Sequence, residues 1–101
     1  MFSANLRAQP ATGSSGISSA TPSLTPLMLD GATVKLVVWD GQKAGSAVGI
    51  LVLPLEGTEA VLTYYKSWTF ATEAIRWPES VDEHKKANAF TGSALSHAAL
   101  P

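Results

Sequence analysis

Few residues in this chain have chemistry to offer: two histidines, His84 and His97, the carboxylates Glu79, Asp82 and Glu83, and a serine-rich stretch near the N-terminus. The two imidazoles lack the HxxxH or HExxH spacing that brings a pair of ring nitrogens to one metal, so both read as surface histidines. Glu79, Asp82 and Glu83 crowd a predicted helix start, where the macrodipole and the orphan N–H groups favour acids without any acid–base role. Activating a serine hydroxyl needs a histidine or lysine held rigidly at hydrogen-bond distance, and the serine-rich stretch offers none. Gly41, Gly45 and Gly49 recur every four residues but match neither a phosphate-cradling GxxxxGK[ST] loop nor GxGxxG, and they read as hairpin and bulge glycines. No catalytic, metal-binding or cofactor-binding set can be assembled, which argues against an enzyme. Trp39, Tyr64, Tyr65, Trp68 and Trp77 could stack on sugars, so a small β-rich carbohydrate-binding module is the alternative reading. Rings in strands more commonly serve a core or a subunit contact.

The elements available to position these residues are limited by size. The chain has 101 residues, 46% hydrophobic and 15% charged, which fits one small globular domain. The absence of cysteine rules out disulfide staples and thiolate metal sites. Net charge is -1, and Arg7, Lys35, Lys43, Lys66, Arg76, Lys85 and Lys86 are scattered, leaving no basic stripe to neutralise a run of phosphates; nucleic acid is not an expected partner. The longest apolar stretch, residues 47–55, is interrupted by Gly49 and Pro54 and falls well short of the roughly 20 residues that span a bilayer, so no membrane association is expected. Residues 1–9 carry Arg7 without a following apolar run and do not read as a secretory signal.

Residues 10–26 hold eight Ser or Thr, three Pro and two Gly among 17 positions, with only Ile17 and Leu24 as sizeable apolar groups. Such a segment buries too little surface to offset an ordering entropy of about 1–2 kcal/mol per residue. The expectation is therefore a flexible N-terminal arm over residues 1–26 and a compact β-rich domain over residues 27–101. That domain, of about 75 residues, is small enough for oligomerisation to help stabilise it. Lys35-Leu-Val-Val-Trp39 and Ala47-Val-Gly-Ile-Leu-Val-Leu53 read as the two strands of a hairpin with a long Gly-containing loop, since Asp40-Gly41 is a turn signal. A third strand is predicted over residues 60–65, after the polar turn at residues 56–59, and a short fourth within residues 68–77. One helix is predicted from the capping-box spacing of Ser80 and Glu83, with Pro78 and Glu79 at its entrance, Lys85 and Lys86 in its C-terminal half and a stop before Gly92. Its apolar residues Val81, Ala87, Ala89 and Phe90 form an indifferent stripe suited to packing on a sheet edge. Leu95 is a possible strand contact in the tail. The fold class is α+β, mostly β: a small mixed or antiparallel sheet with one short helix.

An ordered series of motifs goes further. TPLMLD (residues 25–30), KLVVWDG (35–41), GSAVGIL (45–51), TYYKS (63–67), WPE (77–79) and DEHKK (82–86) with Ala89, Phe90 and Gly92 closely resembles the head decoration proteins of lambda-like bacteriophages, over about residues 13–101. The resemblance implies a homotrimer on the outer surface of the expanded phage head, at local threefold sites, cementing major capsid protein subunits against DNA pressure. It implies synthesis in the host bacterial cytoplasm, residence in the virion, and no cofactor.

In that family the N-terminal arm becomes ordered by pairing with strands of the coat protein, a mode in which main-chain hydrogen bonds supply affinity with little demand on side-chain identity. Carried onto this sequence, the capsid-binding arm is Thr12, Gly13, Ser14, Ser15, Gly16, Ile17, Ser18, Ser19, Thr21 and Pro22, with Ile17 as its best apolar anchor. Residues 1–9 depart from the family leader. Trp68 stands where the family has glycine, in KSGTF; it would be strained by about 1–3 kcal/mol if that position used φ > 0, or would add a buried contact at a subunit or capsid interface, and it reads as a tolerated change in a surface loop.

Overall fold

The computed structural model describes residues 10–41, 45–78, 81–91 and 94–98, and for Trp68, Glu83, His84, Ala94 and Ser96 the backbone alone. The roles expected of residues 1–9, Lys43, Glu79, Ser80 and Gly92 lie outside the described residues.

The chain folds as β1 (Pro10–Ser14), β2 (Pro26–Asp30), β3 (Lys35–Val38), β4 (Ala47–Leu51), β5 (Val61–Tyr65), β6 (Ser67–Ala71), a 3-10 turn (Thr72–Ala74), α1 (Glu83–Ala87) and β7 (Ala94–Ala98). The first five strands form an antiparallel sheet in the order β1-β5-β4-β2-β3, while β6 and β7 pair in parallel as a separate ribbon. The fold is thus mostly β, with one short helix.

Strand pairing departs from expectation. β3 and β4 are not neighbours; β2 lies between them, pairing β3 through Leu27↔Val38 and β4 through Leu27↔Gly49. The TPLMLD segment therefore supplies an interior strand, paired with β3 on one side and β4 on the other. A register shift between Leu27 and Met28 places three residues of β4 opposite two of β2. This bulge flips the side-chain alternation. Ala47 and Ile50, three apart, consequently join one core cluster, while Leu51 joins the other. Gly49 sits at this irregularity, where an added Cβ would stand 2.6 Å from Cδ2 of Tyr64.

The two ends of the strand order also meet. Ser15 bridges Leu36 in parallel, and the Gly16 N–H donates to the Leu36 carbonyl at 2.8 Å, so the exit of β1 closes against β3. Closure shields part of two strand edges that would otherwise be open. Inside lies one cluster, Ile17, Leu27, Leu36, Leu51, Leu55 and Leu62. The other, formed around Trp39, Ala47, Ile50, Ile75, Val81, Ala89, Phe90 and Leu95, joins the sheet to the helical region and to β7.

α1 starts later than the capping-box spacing predicts. Asp82 is the cap: its Oδ1 accepts the Lys85 N–H at 2.8 Å, and its carbonyl takes the first intrahelical bond, from Lys86, at 3.0 Å. Val81, Ala89 and Phe90 flank this short helix and are buried, whereas Ala87 is exposed, so the flanks rather than the helix body supply the packing. Trp68 lies within β6, opposite Leu95. Among the described residues, the non-glycine positive φ values belong to Leu24 (64°) and Val34 (57°), so the strain imagined for Trp68 does not arise.

Candidate docking strand and its anchor

The structure divides the expected arm into two parts. Thr12, Gly13 and Ser14 lie in β1; Ser15, Ile17 and Thr21 are buried in the body of the fold; Gly16, Ser18, Ser19 and Pro22 are exposed along a strap that leads to β2. The expectation that residues 10–26 stay unpacked therefore differs from what is observed. Its premise, too few apolar groups, overlooked how much one well-placed isoleucine and a set of backbone bonds can hold. Ile17 is only 8% exposed and belongs to one core cluster with Leu27, Leu36, Leu51, Leu55 and Leu62, a burial that contributes about 1.5–3 kcal/mol.

Backbone groups complete the anchor. Thr21 and Leu55 exchange N–H to carbonyl bonds of 2.9 and 2.8 Å. The Leu24 N–H donates to the Leu51 carbonyl (2.8 Å), and the Leu24 carbonyl accepts from Arg76 N–H (2.9 Å), which holds Leu24 in its left-handed conformation. Side chains tighten the strap locally: Thr21 Oγ1 donates to the Ser19 carbonyl, and Thr25 Oγ1 to the Pro22 carbonyl at 2.7 Å.

A turn after β4 presses on the strap from outside. Gly57 adopts φ +108°, and a Cβ there would stand 2.8 Å from the Ser19 nitrogen and 2.9 Å from the Ser18 carbonyl carbon. Only glycine permits both the dihedral and the close approach. The turn is shaped by Glu59, whose carboxylate accepts the N–H groups of Glu56, Gly57 and Thr58 at 3.0, 3.0 and 3.1 Å. Those bonds, Glu56's first and Gly57's next, hold the Glu59 carboxyl below its ordinary pKa.

β1 itself is held differently. It pairs β5 from Pro10↔Tyr65 to Ser14↔Val61, and its side chains alternate between exposed and half-buried, none buried. The Ser15 N–H donates to Ala60 O on the β5 side at 3.0 Å, whereas the Gly16 N–H points the other way, to Leu36. Antiparallel alternation then turns the main-chain groups of Ala11 and Gly13 toward β5 and those of Thr12 and Ser14 away from it. Pro10, with no N–H to lose, begins the strand where proline is tolerated, at a sheet edge. Fixing these five backbones costs about 5–10 kcal/mol. Each ladder bond returns about 0.5–1.5 kcal/mol net, and β1 has no buried apolar side chain to add to it. β1 is a lightly held terminal strand next to a firmly held strap.

The rings that could have stacked on sugars are engaged elsewhere. Trp39 is fully buried, its Nε1–H donating to Ser46 Oγ at 2.8 Å. Trp77 donates to the Thr72 carbonyl at 2.9 Å and packs against Trp39, Phe90 and His97. Tyr64 and Tyr65 are half-buried against the two core clusters. The Trp68 side chain lies outside the described residues. No described side chains therefore form an exposed aromatic platform.

His97 is not a free surface histidine either. Its Nδ1 lies 2.7 Å from Thr72 Oγ1 and its Nε2 2.6 Å from the Lys86 carbonyl. The carbonyl can only accept, so Nε2 carries a proton, and a neutral ring then accepts from the threonine hydroxyl at Nδ1. The imidazole thereby ties β7 to the 3-10 turn and to the end of α1. Nothing in the sequence pointed to this tie, or to Leu24, Leu55 and Gly57 in the anchor of the strap, beyond the local signal of the glycine-containing turn.

Comparison with known proteins converges on one family. The sequence model for bacteriophage lambda head decoration protein D matches residues 4–98. The head decoration protein of Enterobacteria phage P21 is 84% identical over 101 residues, covering 100% of this chain and 88% of that protein. A putative decoration protein of Escherichia phage N15 is 47% identical over 90 residues, covering 88% of this chain and 82% of its own length.

Proposed function

The chain belongs to the bacteriophage lambda head decoration protein D family, and from that premise we propose that it is a capsid cement. In this reading it is a structural virion protein that binds as a homotrimer to the exterior of the expanded head. It sits at local threefold sites, contacts the major capsid protein, and stabilises the shell against DNA pressure. The observation that carries the proposal is the 84% identity to a head decoration protein along the whole chain.

The N-terminal contact is proposed to be main-chain pairing between β1 and a coat strand, an addition to a sheet edge that needs no large side chain from the arm. Supporting it are the small side chains of β1, its terminal place in the strand order, and the outward main-chain groups of Thr12. Of the residues assigned to the arm from the sequence, Thr12, Gly13 and Ser14 are the proposed contact, and Ser15, Gly16, Ile17, Ser18, Ser19, Thr21 and Pro22 form its mount. Three arms on one trimer reinforce each other, since docking of one holds the others at high effective concentration and can raise avidity by roughly 100 to 10,000-fold. Simultaneous engagement demands correctly spaced coat sites, which fits binding to expanded rather than unexpanded shells.

The test is truncation of residues 1–14, which stops short of Ile17. The truncated chain is expected to remain folded and trimeric and to lose saturable binding to expanded heads. Undiminished binding would remove the arm from the mechanism.

A further inference from the structure

The structure places β1 against its own β5, and this has a consequence for the arm reading, on which the following inference rests. We propose that the β1–β5 pairing is a self-docked state that competes with coat binding: β1 lifts off β5 to engage a coat strand, swinging about residues 14–16 while Ile17 and the strap stay in the body. The contact is thus autoinhibitory, a clasp that opens on the shell.

Three observations carry this. First, the two parts of the segment are held unequally. β1 contributes no buried side chain, whereas Ile17 and Thr21 just beyond it are 8% and 6% exposed. Second, the outer side of β1 is only partly available while it is docked. The bridge between Ser15 and Leu36 and the Gly16 N–H bond to the Leu36 carbonyl bring β3 alongside the end of the strand, so a coat strand pairing the full length of a docked β1 would meet β3. Releasing β1 frees the main-chain groups of Ala11 and Gly13 as well as those of Thr12. Third, the docked position is close-fitting at Gly13. A Cβ at Gly13 would stand 2.6 Å from Leu36 Cδ1 and 3.4 Å from Tyr64 Cε1. The same residue types that let β1 lie flat against β5 leave it little beyond backbone bonds and the half-buried Ala11 and Gly13 to hold it there.

Self-docking also hides a strand edge that a small protein at high concentration would otherwise present to its neighbours, the standing hazard of unpaired strands. Release then exposes both the inner edge of β1 and the outer edge of β5, with Val61 at the latter already 62% exposed.

The chain has no cysteine, so a single engineered pair can report on the clasp. Thr12 and Thr63 face each other in the register, in a pair whose main-chain bonds point away from one another, where the Cα atoms come closest and a disulfide fits. In the full-length T12C/T63C chain, oxidation is expected to close the disulfide and lower occupancy on expanded, undecorated heads at least tenfold, with recovery in reductant. Equal binding of the oxidised and reduced forms would overturn the proposal. So would failure of the disulfide to close both here and in S14C/V61C, an exposed pair one step nearer the hinge. The truncation of residues 1–14 separates the two claims: if truncation abolishes binding but the locked chain binds normally, only self-docking fails; if the truncated chain binds normally, the arm reading fails and takes this one with it.

Discussion

Replacing Ile17 by alanine distinguishes a packed strap from a loose tail more sharply than any other single change. The substitution removes three carbons from a side chain that is 8% exposed and lies among Leu27, Leu36, Leu51, Leu55 and Leu62. At about 0.8 kcal/mol per buried methylene the transfer loss alone is about 2.4 kcal/mol. A residual cavity adds to this unless the strap collapses into it, giving about 2–4 kcal/mol in all. For a domain of this size each kcal/mol shifts the melting midpoint by about 4–8 °C, so a fall of at least 8 °C is expected. The assay is thermal unfolding followed by circular dichroism at one fixed protein concentration, because any oligomerisation makes the midpoint concentration-dependent. Leu53→Ala is the control: Leu53 is 62% exposed, and its truncation should stay within about 0.5 kcal/mol. If Ile17→Ala behaves like Leu53→Ala, residues 15–25 are not part of the folded body and the anchor described above is wrong.

Other consequences follow from the same contacts. Gly57→Ala, which forces a Cβ into the backbone of Ser18 and Ser19 at φ +108°, should destabilise by about 1–3 kcal/mol, read from the urea midpoint. Asp30, held low chiefly by the Ala32 N–H and then by the Thr33 hydroxyl, and Glu59, held low by the N–H groups of its turn, have folded pKa values below their unfolded ones. Their contribution is therefore present above the unfolded value of about 4 and lost as pH falls through the folded one, so the melting midpoint should drop below about pH 4. Glu59→Gln should flatten part of that acid slope, and an unchanged slope would contradict the assignment. His97→Phe keeps a ring against Trp77 but removes the imidazole's two hydrogen bonds, to the Lys86 carbonyl, which keeps the Ala89 N–H at 3.3 Å, and to the Thr72 hydroxyl. It should cost about 1–3 kcal/mol, with loss of near-ultraviolet signal from Trp77 before the sheet melts.

Much of the body was legible in the chain. The β-branched and aromatic runs at residues 35–39, 47–53 and 60–65 hold the strands Lys35–Val38, Ala47–Leu51 and Val61–Tyr65, because such side chains fit a pleated, half-buried surface. Who pairs with whom was not legible: the extra residue in β4 that sets Ala47 and Ile50 on one side exists only opposite β2, and no local pattern announces a bulge. Asp82 caps α1, which begins later than the capping-box spacing predicts, since capping depends on where the chain enters and not on spacing alone.

The arm shows the limit most clearly. Composition marks residues 10–26 as short of apolar groups, yet it cannot see that β5 offers residues 10–14 an edge or that Ile17, singled out as an anchor for a partner, fills the protein's own core. His97 is similar, because two acceptable partners 25 and 11 residues away are invisible from its neighbours in sequence.

The central claim is capsid decoration through β1, and a density map of this chain bound to expanded heads tests it most directly. The account predicts three copies around each local threefold on the outer surface, residues 10–14 in register with a coat strand, and Ile17 still seated among its own leucines. A map in which the chain sits on the shell with β1 paired to β5 and turned away from the coat would contradict it.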